Sequence, residues 1–309
     1  RDYIRVVAIK DPAPSETMAN LLEFDSLHGL LGVPVTLENG QLVAGSQNAA
    51  ITQATVPEDL QWSHVDVVLE CSGQFLGPQD AARHLANGAQ AVLLSAPPKG
   101  DVKTTVYGVN HASVTASDRI VSNASCTTNC LVPVAKILHD TFGIEAGMMT
   151  TVHSYTSTQN THDGPHADLY RTRAAAVSMI PTSTGAAEAL GVVVPALAGR
   201  VTGHAIRVPS PNVSCIDLVV ELEKPADASA INHCFREAAK TGYAGIVDTT
   251  DRKLVSADFR QDAHSAVVAC DQTRVQGRMA RVLAWYDNEW GFAHRLIDMT
   301  RVIAAAHKA

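Results

Sequence analysis

Ser122-Asn123-Ala124-Ser125-Cys126-Thr127-Thr128-Asn129-Cys130 sets a cysteine among small and hydroxyl-bearing residues, and an apolar pattern follows at Leu131, Val134, Ala135 and Leu138. Spacings of three, four and seven put those four side chains on one helix face. Gly143 then marks the end of the helix. Cys126 falls in the first turn, where unpaired N–H groups and the positive end of the macrodipole favour thiolate over thiol. That makes it a candidate nucleophile. Two plainer readings stand beside it. A buried cysteine serves as a small apolar side chain, and Cys126 with Cys130 could form half of a metal site. No second close cysteine pair is present to complete four ligands.

Working outward, 309 residues suit two domains. The chain is 46% hydrophobic and 18% charged, enough for a core and too apolar for disorder. A net charge of -7 argues against nucleic acid or an anionic membrane as partner. No run of eighteen apolar residues and no apolar signal segment is seen. Six scattered cysteines without framework spacing point to a reducing, cytoplasmic setting.

Before the cysteine, Ile4–Ile9, Val65–Leu69 and Ala91–Leu94 read as apolar strands, and Asp80–Asn87 as a helix ending at Gly88. Thr104–Val109 and Arg119–Val121 add two strands. Near-continuous apolar strands alternating with helices predict a parallel sheet covered on both faces. Ligands of such sheets bind beyond the strands' carboxyl ends, where Asp11, Gly73 and Ser95 fall. Asp11 is placed to bind adenosine ribose hydroxyls in a dinucleotide fold, although an Asp at a strand end also serves as a plain turn residue.

After the cysteine helix, Gly147–Val152 is a strand delivering His153 to the polar run Ser154-Tyr155-Thr156-Ser157-Thr158-Gln159. His153 is the candidate general base. Asp168 to Leu190 holds Arg171, Arg173 and Pro181-Thr182-Ser183-Thr184-Gly185-Ala186-Ala187, the donor types a phosphate needs. A polar loop with surface ion pairs has the same composition. Arg207 interrupts the apolar run Ala205 to Pro209 and so requires a partner or an anionic ligand. Val213–Leu222 and Val275–Trp285 are strands, Ala228–Lys240 is a helix capped by Asp227, and a last helix covers Phe292–His307. Strands with few intervening helices predict a mixed or antiparallel sheet. The fold class is therefore α/β: a dinucleotide-binding parallel sheet plus an α+β catalytic domain. Residues 1–125 and 290–309 form the first unit and 126–289 the second, with Cys126 at their junction.

The chain resembles the phosphorylating glyceraldehyde-3-phosphate dehydrogenases from Val6 to the last helix. Five motifs in order carry this: Ser122–Cys130, Thr151–Thr156, Pro181–Ala187, Arg207–Ser214 and Trp285–Gly291. Erythrose-4-phosphate dehydrogenases share the cysteine motif, and His264-Ser265-Ala266 and Gln272-Thr273-Arg274-Val275 lean toward them. Thr182-Ser183-Thr184-Gly185-Ala186-Ala187 follows the glyceraldehyde enzymes. A non-catalytic relative that lost cofactor binding, and a dehydrogenase acting on aspartyl phosphate, are the other readings. Intact Cys126, His153 and both anion sites weigh against the first, and Arg207 with Thr184-Gly185 against the second.

The resemblance implies NAD-dependent oxidation of an aldehyde phosphate through a Cys126 hemithioacetal and thioester, with His153 as base and inorganic phosphate cleaving the thioester. It implies Thr156 and Arg207 at the substrate phosphate, and Ser125, Thr127, Thr184 and Gly185 at the attacking phosphate. Arg171 belongs to one of the two. Asn288 is implied at the nicotinamide carboxamide and Asp11 at the ribose, with Gly73 and Ser95 on the cofactor side. It further implies that the last helix packs on the cofactor domain, in a homotetramer whose core is lined by Tyr155 to Val177. Lys10, Thr55 and Phe292 depart from the family on the cofactor side, and Asp11 would repel a 2′-phosphate.

In a dinucleotide-binding unit the ribose acid lies about 20 residues beyond a glycine motif. Here the first glycine is Gly29, after Asp11. Ile4–Ile9 thus reads as the second strand of a sheet whose first strand and phosphate-binding helix lie upstream of Arg1. The expectation is a gap between Ile4–Ile9 and Val65–Leu69, about 9.6 Å across at two strand spacings of roughly 4.8 Å.

Overall fold

The computed structural model describes residues 4–60 and 62–308. The first half opens with β1 (Ala8–Lys10), α1 (Ser15–Glu23) and a short hairpin of β2 (Phe24–Asp25) and β3 (Gly29–Leu30). Next come β4 (Val35–Glu38), β5 (Gln41–Ala44) and β6 (Gln47–Thr52), then β7 (Val67–Glu70), α2 (Pro78–Ala86), β8 (Ala91–Leu94), β9 (Lys103–Thr104) and β10 (Ile120–Ser122). β7, β8, β10 and β9 form the expected parallel sheet, in that order.

β1 does not join it. β1 pairs in parallel with β6, and β6, β5 and β4 continue as an antiparallel meander. The single parallel sheet read from the sequence is therefore two sheets. A cavity of about 620 Å³ separates them, lined by Ile4 to Asp11 on one wall and Val65 to Ser72 on the other. The expected gap between these strands is present.

Two predicted strands change form. Thr104–Val109 shortens to β9, because the Asn110 side chain accepts from the Val106 N–H and the backbone turns at Gly108, φ +87°. A side-chain acceptor that competes for the ladder N–H ends a strand. The run from Val275 splits into a hairpin, β17 (Arg274–Gln276) and β18 (Met279–Tyr286), turning at Gly277 with φ +61°.

The catalytic half begins with α3 (Cys126–Phe142), then β11 (Ile144–Ser154), β12 (Ile180–Thr182), α4 (Ala186–Val193), β13 (Val201–Val208) and β14 (Ser214–Leu222). α5 (Ala228–Lys240), β15 (Val247–Thr250), β16 (Ala266–Ala269) and the β17–β18 hairpin complete it, and α6 (Trp290–Lys308) ends the chain. The sheet of the catalytic half runs β12-β13-β11-β14-β18-β16-β15, with β17 on β18. β11 is parallel to β13 and antiparallel to β14, so the sheet is mixed as predicted. The predicted α3 face, Leu131, Val134, Ala135 and Leu138, is fully buried, and so are Cys130 and Val132 on other faces. The first three turns are thus buried on nearly every side, while Lys136 and Asp140 pair at the exposed last turn. The helix packs into one core with Leu190, Ile216, Leu218 and Phe235. Gly143 ends it with φ +71°.

α6 packs Leu296, Met299 and Ile303 against Ala91, Leu93 and Val121, returning the chain's end to the parallel sheet. Its start is fixed by a close approach. A Cβ on Gly291 would lie 2.6 Å from the His264 carbonyl oxygen, which is backbone and cannot swing away. Gly291→Ala should therefore destabilise the protein by about 1–3 kcal/mol, the usual cost of overpacking. Calorimetry measures it, and an unchanged melting temperature would show that α6 is free to shift.

Candidate active site

The reactive end of α3 is built by Ser125 and Ala124. Ser125 is the N-cap, its hydroxyl accepting from the Thr128 N–H at 3.1 Å. Ala124 takes the left-handed conformation, φ +55°, turning the chain from β10 into the helix. Non-glycine residues held there carry strain that the surroundings must enforce, a feature common at functional sites. Cys126 becomes the first helical residue, half-buried, with its Sγ 3.4 Å from His153 Nε2.

His153 comes from the end of β11, and the parallel register sets it beside Arg207 of β13. Arg207 Nη1 lies 2.7 Å from His153 Nδ1 and donates to the Ser154 carbonyl at 2.8 Å. The same carbonyl lies 2.8 Å from Nδ1. A guanidinium only donates and a carbonyl only accepts, so the two neighbours favour opposite tautomers. With the proton on Nδ1, bonded to Ser154, a lone pair on Nε2 faces the sulfur. With the proton on Nε2, Nδ1 accepts from Arg207 and a donor faces the sulfur. Either neutral tautomer finds a partner.

The charge states differ from the sequence expectation. Burial first, then the Arg207 charge, lowers His153 to about 3 against the opposing pull of the Ser154 carbonyl. Burial also pushes the Cys126 thiol up. The Arg207 charge, the Thr127 hydroxyl and the N–H groups of Thr127 and Cys126 pull it down without overcoming that. The resting pair is thus thiol and neutral imidazole, not the thiolate that the macrodipole alone suggests. Desolvation of the sulfur outweighs the helix terminus.

Arg207 is itself part-buried, and its Nε is a buried donor with no partner among the described residues. Burial lowers its pKa, and Arg171 adds to that by repulsion. Arg171 is held by two bonds to Thr182 Oγ1, 3.0 and 2.8 Å, on β12 next to β13. Arg171 also lies 3.7 Å from the Asp168 carboxylate, so the Arg207 guanidinium with its unsatisfied donor is the stronger candidate for an anion.

The remaining residues fall into place unevenly. Thr127 turns its hydroxyl inward to Tyr286 at 2.9 Å. Thr156 Oγ1 donates to Gln159 at 3.2 Å, and Thr184 Oγ1 accepts from the Ala186 N–H at the start of α4, next to Gly185. No direct bond links Thr156, Thr184 or Gly185 to the Cys126–His153–Arg207 group among the described residues. On the cofactor side, Asp11 follows β1 on the cavity wall and accepts from the Ala13 N–H at 2.8 Å, the plain turn role. Gly73 and Ser95 follow the carboxyl ends of β7 and β8. A Cβ on Gly73 would meet nothing within 4 Å, so its face is open. Asn288 follows β18, and Ser154 and Ser214 both donate to its Oδ1, at 2.8 and 3.0 Å.

Several contributors were not singled out in the sequence. Tyr286 bonds Thr127 and Thr151 and sets its ring edge-on to His153, centroids 5.9 Å apart. Asp287, 1% exposed, accepts from Asn212 Nδ2 and from the N–H groups of Gln261, Glu289 and Trp290. It caps α6 and anchors the Asn288 segment. Their run, Tyr286-Asp287-Asn288, was visible as a polar break after a strand, but its partners are distant in sequence. Among the described residues no group of three or more His, Cys, Asp or Glu is placed to hold a metal, and no helix is long and apolar enough to cross a membrane.

A helix-terminal cysteine with a base and a paired cation site, beside a parallel sheet, is the equipment of a covalent aldehyde-oxidising dehydrogenase. Comparison with known proteins agrees. Residues 125–288 match the family model for the glyceraldehyde 3-phosphate dehydrogenase C-terminal domain, and residues 1–78 that for its NAD binding domain. The chain is 52% identical to the glyceraldehyde-3-phosphate dehydrogenase of Cereibacter sphaeroides, across 96% of this chain and 90% of the relative. It is 46% identical to that of Pseudomonas aeruginosa (99% and 92% covered) and 45% identical to that of Geobacillus stearothermophilus (98% and 91%). The chain belongs to the glyceraldehyde-3-phosphate dehydrogenase family.

Brief iodoacetamide treatment with peptide mapping should label Cys126 ahead of Cys130 and Cys215. Burial holds Cys130 far above its ordinary range and Cys215 up to about 12. The Cys126 rate should climb as pH rises into the alkaline range. It should show no step near 6.5, the ordinary histidine value, because His153 is already neutral there. Earlier labelling of Cys130, or a clear step at that pH, would contradict the geometry.

Proposed function

We propose that this chain oxidises glyceraldehyde 3-phosphate with NAD and inorganic phosphate to 1,3-bisphosphoglycerate. The observation that carries the reading is the Cys126 Sγ to His153 Nε2 contact of 3.4 Å, with Arg207 on the ring's other nitrogen. Cys126 Sγ attacks the aldehyde carbon as its proton passes through His153 to the carbonyl oxygen, giving a neutral hemithioacetal. The proton leaves and returns through one imidazole nitrogen, so no separated charge persists once the hemithioacetal has formed. NAD, when bound, supplies the hydride acceptor. His153 Nε2 takes the hydroxyl proton as hydride leaves, and the carbon becomes a thioester on Cys126. A phosphate oxygen then adds to that carbon. Collapse expels the Cys126 sulfur, which regains a proton, and releases the acyl phosphate. The N–H groups of Cys126 and Thr127 face the sulfur and steady its charge as it leaves.

In this reading Arg207 and Thr156 hold the substrate phosphate. Ser125, Thr127, Thr184 and Gly185 hold the attacking phosphate, with Thr127 contributing its N–H since its hydroxyl faces Tyr286. Arg171 adds charge to either. Asp11 binds the ribose, Gly73 and Ser95 line the cofactor side, and Asn288 binds the nicotinamide. The unit boundaries are placed at 1–125 with 290–309, and at 126–289. A homotetramer is supported by Leu169, Tyr170, Val177 and Met179, apolar side chains 63–82% exposed along one segment. A cytoplasmic setting is supported by six unpaired cysteines.

Purified protein should form NADH from glyceraldehyde 3-phosphate only when inorganic phosphate is present. Equal rates without phosphate, or faster turnover of erythrose 4-phosphate, would overturn the assignment. Arg207→Ala should lower kcat/KM about tenfold to a hundredfold, since each charge-assisted bond is worth roughly 1.5–3 kcal/mol. The loss should be larger with the phosphorylated aldehyde than with an unphosphorylated one. The same change should let the His153 pKa rise, because one of its two depressing causes is gone. NMR titration reads that shift.

A further inference from the structure

Asn288 is 7% exposed, and its two serine partners are 0% and 1% exposed. Ser154 Oγ and Ser214 Oγ both lie within bonding distance of Asn288 Oδ1, and Ser214 Oγ also accepts from the Ser154 N–H at 3.1 Å. Each hydroxyl has one proton. With the amide oxygen inward, both protons are used. With the amide reversed, its nitrogen would donate to both oxygens and the two hydroxyl protons would be left in a dry interior. The serine oxygens, 3.4 Å apart, could satisfy one of them poorly and the other not at all. The oxygen-inward state therefore wins, and it leaves Nδ2 as the polar atom of Asn288 without a bond among the described residues.

We propose that Ser154 and Ser214 are positioning residues that lock Asn288 with its amino group toward the cofactor, so that it reads the carbonyl oxygen of the nicotinamide carboxamide and ignores that group's own amino group. The inference rests on Asn288 as the nicotinamide contact. It assigns a polarity to that contact and two residues that impose it. Ser154 has a second task, since its carbonyl is the acceptor shared by Arg207 and His153. One residue thus ties the orientation of the cofactor contact to that of the base.

The test compares NAD with its 3-acetylpyridine analogue, which keeps the carbonyl and lacks the amino group. Dissociation constants come from quenching of tryptophan fluorescence, Trp290 being two residues from Asn288. In the Ser154→Ala, Ser214→Ala double variant the amide is free to reverse, and an outward oxygen can bind only the amino group that NAD has. The analogue should then weaken relative to NAD by about threefold to tenfold beyond the wild-type ratio, the factor carried by one neutral hydrogen bond. Asn288→Asp, which keeps the shape and both inward bonds but has no outward donor, should move the ratio the same way. A ratio unchanged in both variants overturns the proposal. A neutron structure of the protein without cofactor reads the orientation directly. It should show two deuterons on the cleft-facing atom of Asn288 and both serine deuterons on Oδ1. Nitrogen facing the serines overturns the proposal whatever the binding data. Failure of NAD to bind wild-type protein would count against the cofactor reading, and the neutron result would still decide the polarity.

Discussion

The parallel pairing of β11 with β13 is the constraint on which the site depends. Its register sets His153 against Arg207 and Ser154 against Val208. A slip of one residue would turn every side chain on β13 to the other face of the sheet. Arg207 would leave the imidazole, and its buried charge would lose the Ser154 carbonyl. On the other side of β11, antiparallel pairing with β14 sets Val152 against Cys215, which leaves Ser214 within reach of Ser154. A central strand fixed on both edges delivers His153, the Ser154 carbonyl and the Ser154 hydroxyl that bonds Asn288.

Electrostatics at the site are a contest between burial and charge. Burial disfavours the charged form of Cys126, His153 and Arg207 alike. The Arg207 charge then favours thiolate on Cys126 and opposes imidazolium on His153. It therefore resists charge on the ring while stabilising negative charge that develops on the sulfur during reaction. A site set this way holds its protons until substrate brings an acceptor for them. The orphan Nε of Arg207 belongs to the same logic, since an unpaired buried donor is costly and an arriving anion relieves it.

Three consecutive residues at the end of β18 serve three ends. Tyr286 bonds Thr127 behind Cys126, Asp287 caps α6 with its carboxylate, and Asn288 accepts from Ser154 through its side-chain oxygen. The close approach of Gly291 to the His264 carbonyl then fixes how α6 leaves the site to pack on the parallel sheet. Precision at Asn288 thus comes from bonds on either side of it along the chain.

Cys126, His153 and Arg207, which the fold brings together, stood out in the sequence because each breaks a local pattern. Cys126 opens an apolar helix, Arg207 interrupts an apolar strand, and His153 ends one. The mixed sheet and the helix from Ala228 to Lys240 were legible for a like reason, as strand alternation and the Asp227 cap act over a few residues. The hairpin at Gly277 and the early end of β9 were misread, since one glycine and one asparagine acceptor override β-propensity. The gap between Ile4–Ile9 and Val65–Leu69 was anticipated from strand order, but the joining of β1 to a separate meander was not. Tyr286, Ser154 and Ser214 gained their roles from partners 60 to 159 positions away in the chain, and Asp287 joins its local cap of α6 to Asn212, 75 positions away. Protonation lay further still from sequence. A helix terminus predicts thiolate, whereas burial of the sulfur in the fold pushes the thiol up, a property that the order of residues does not contain.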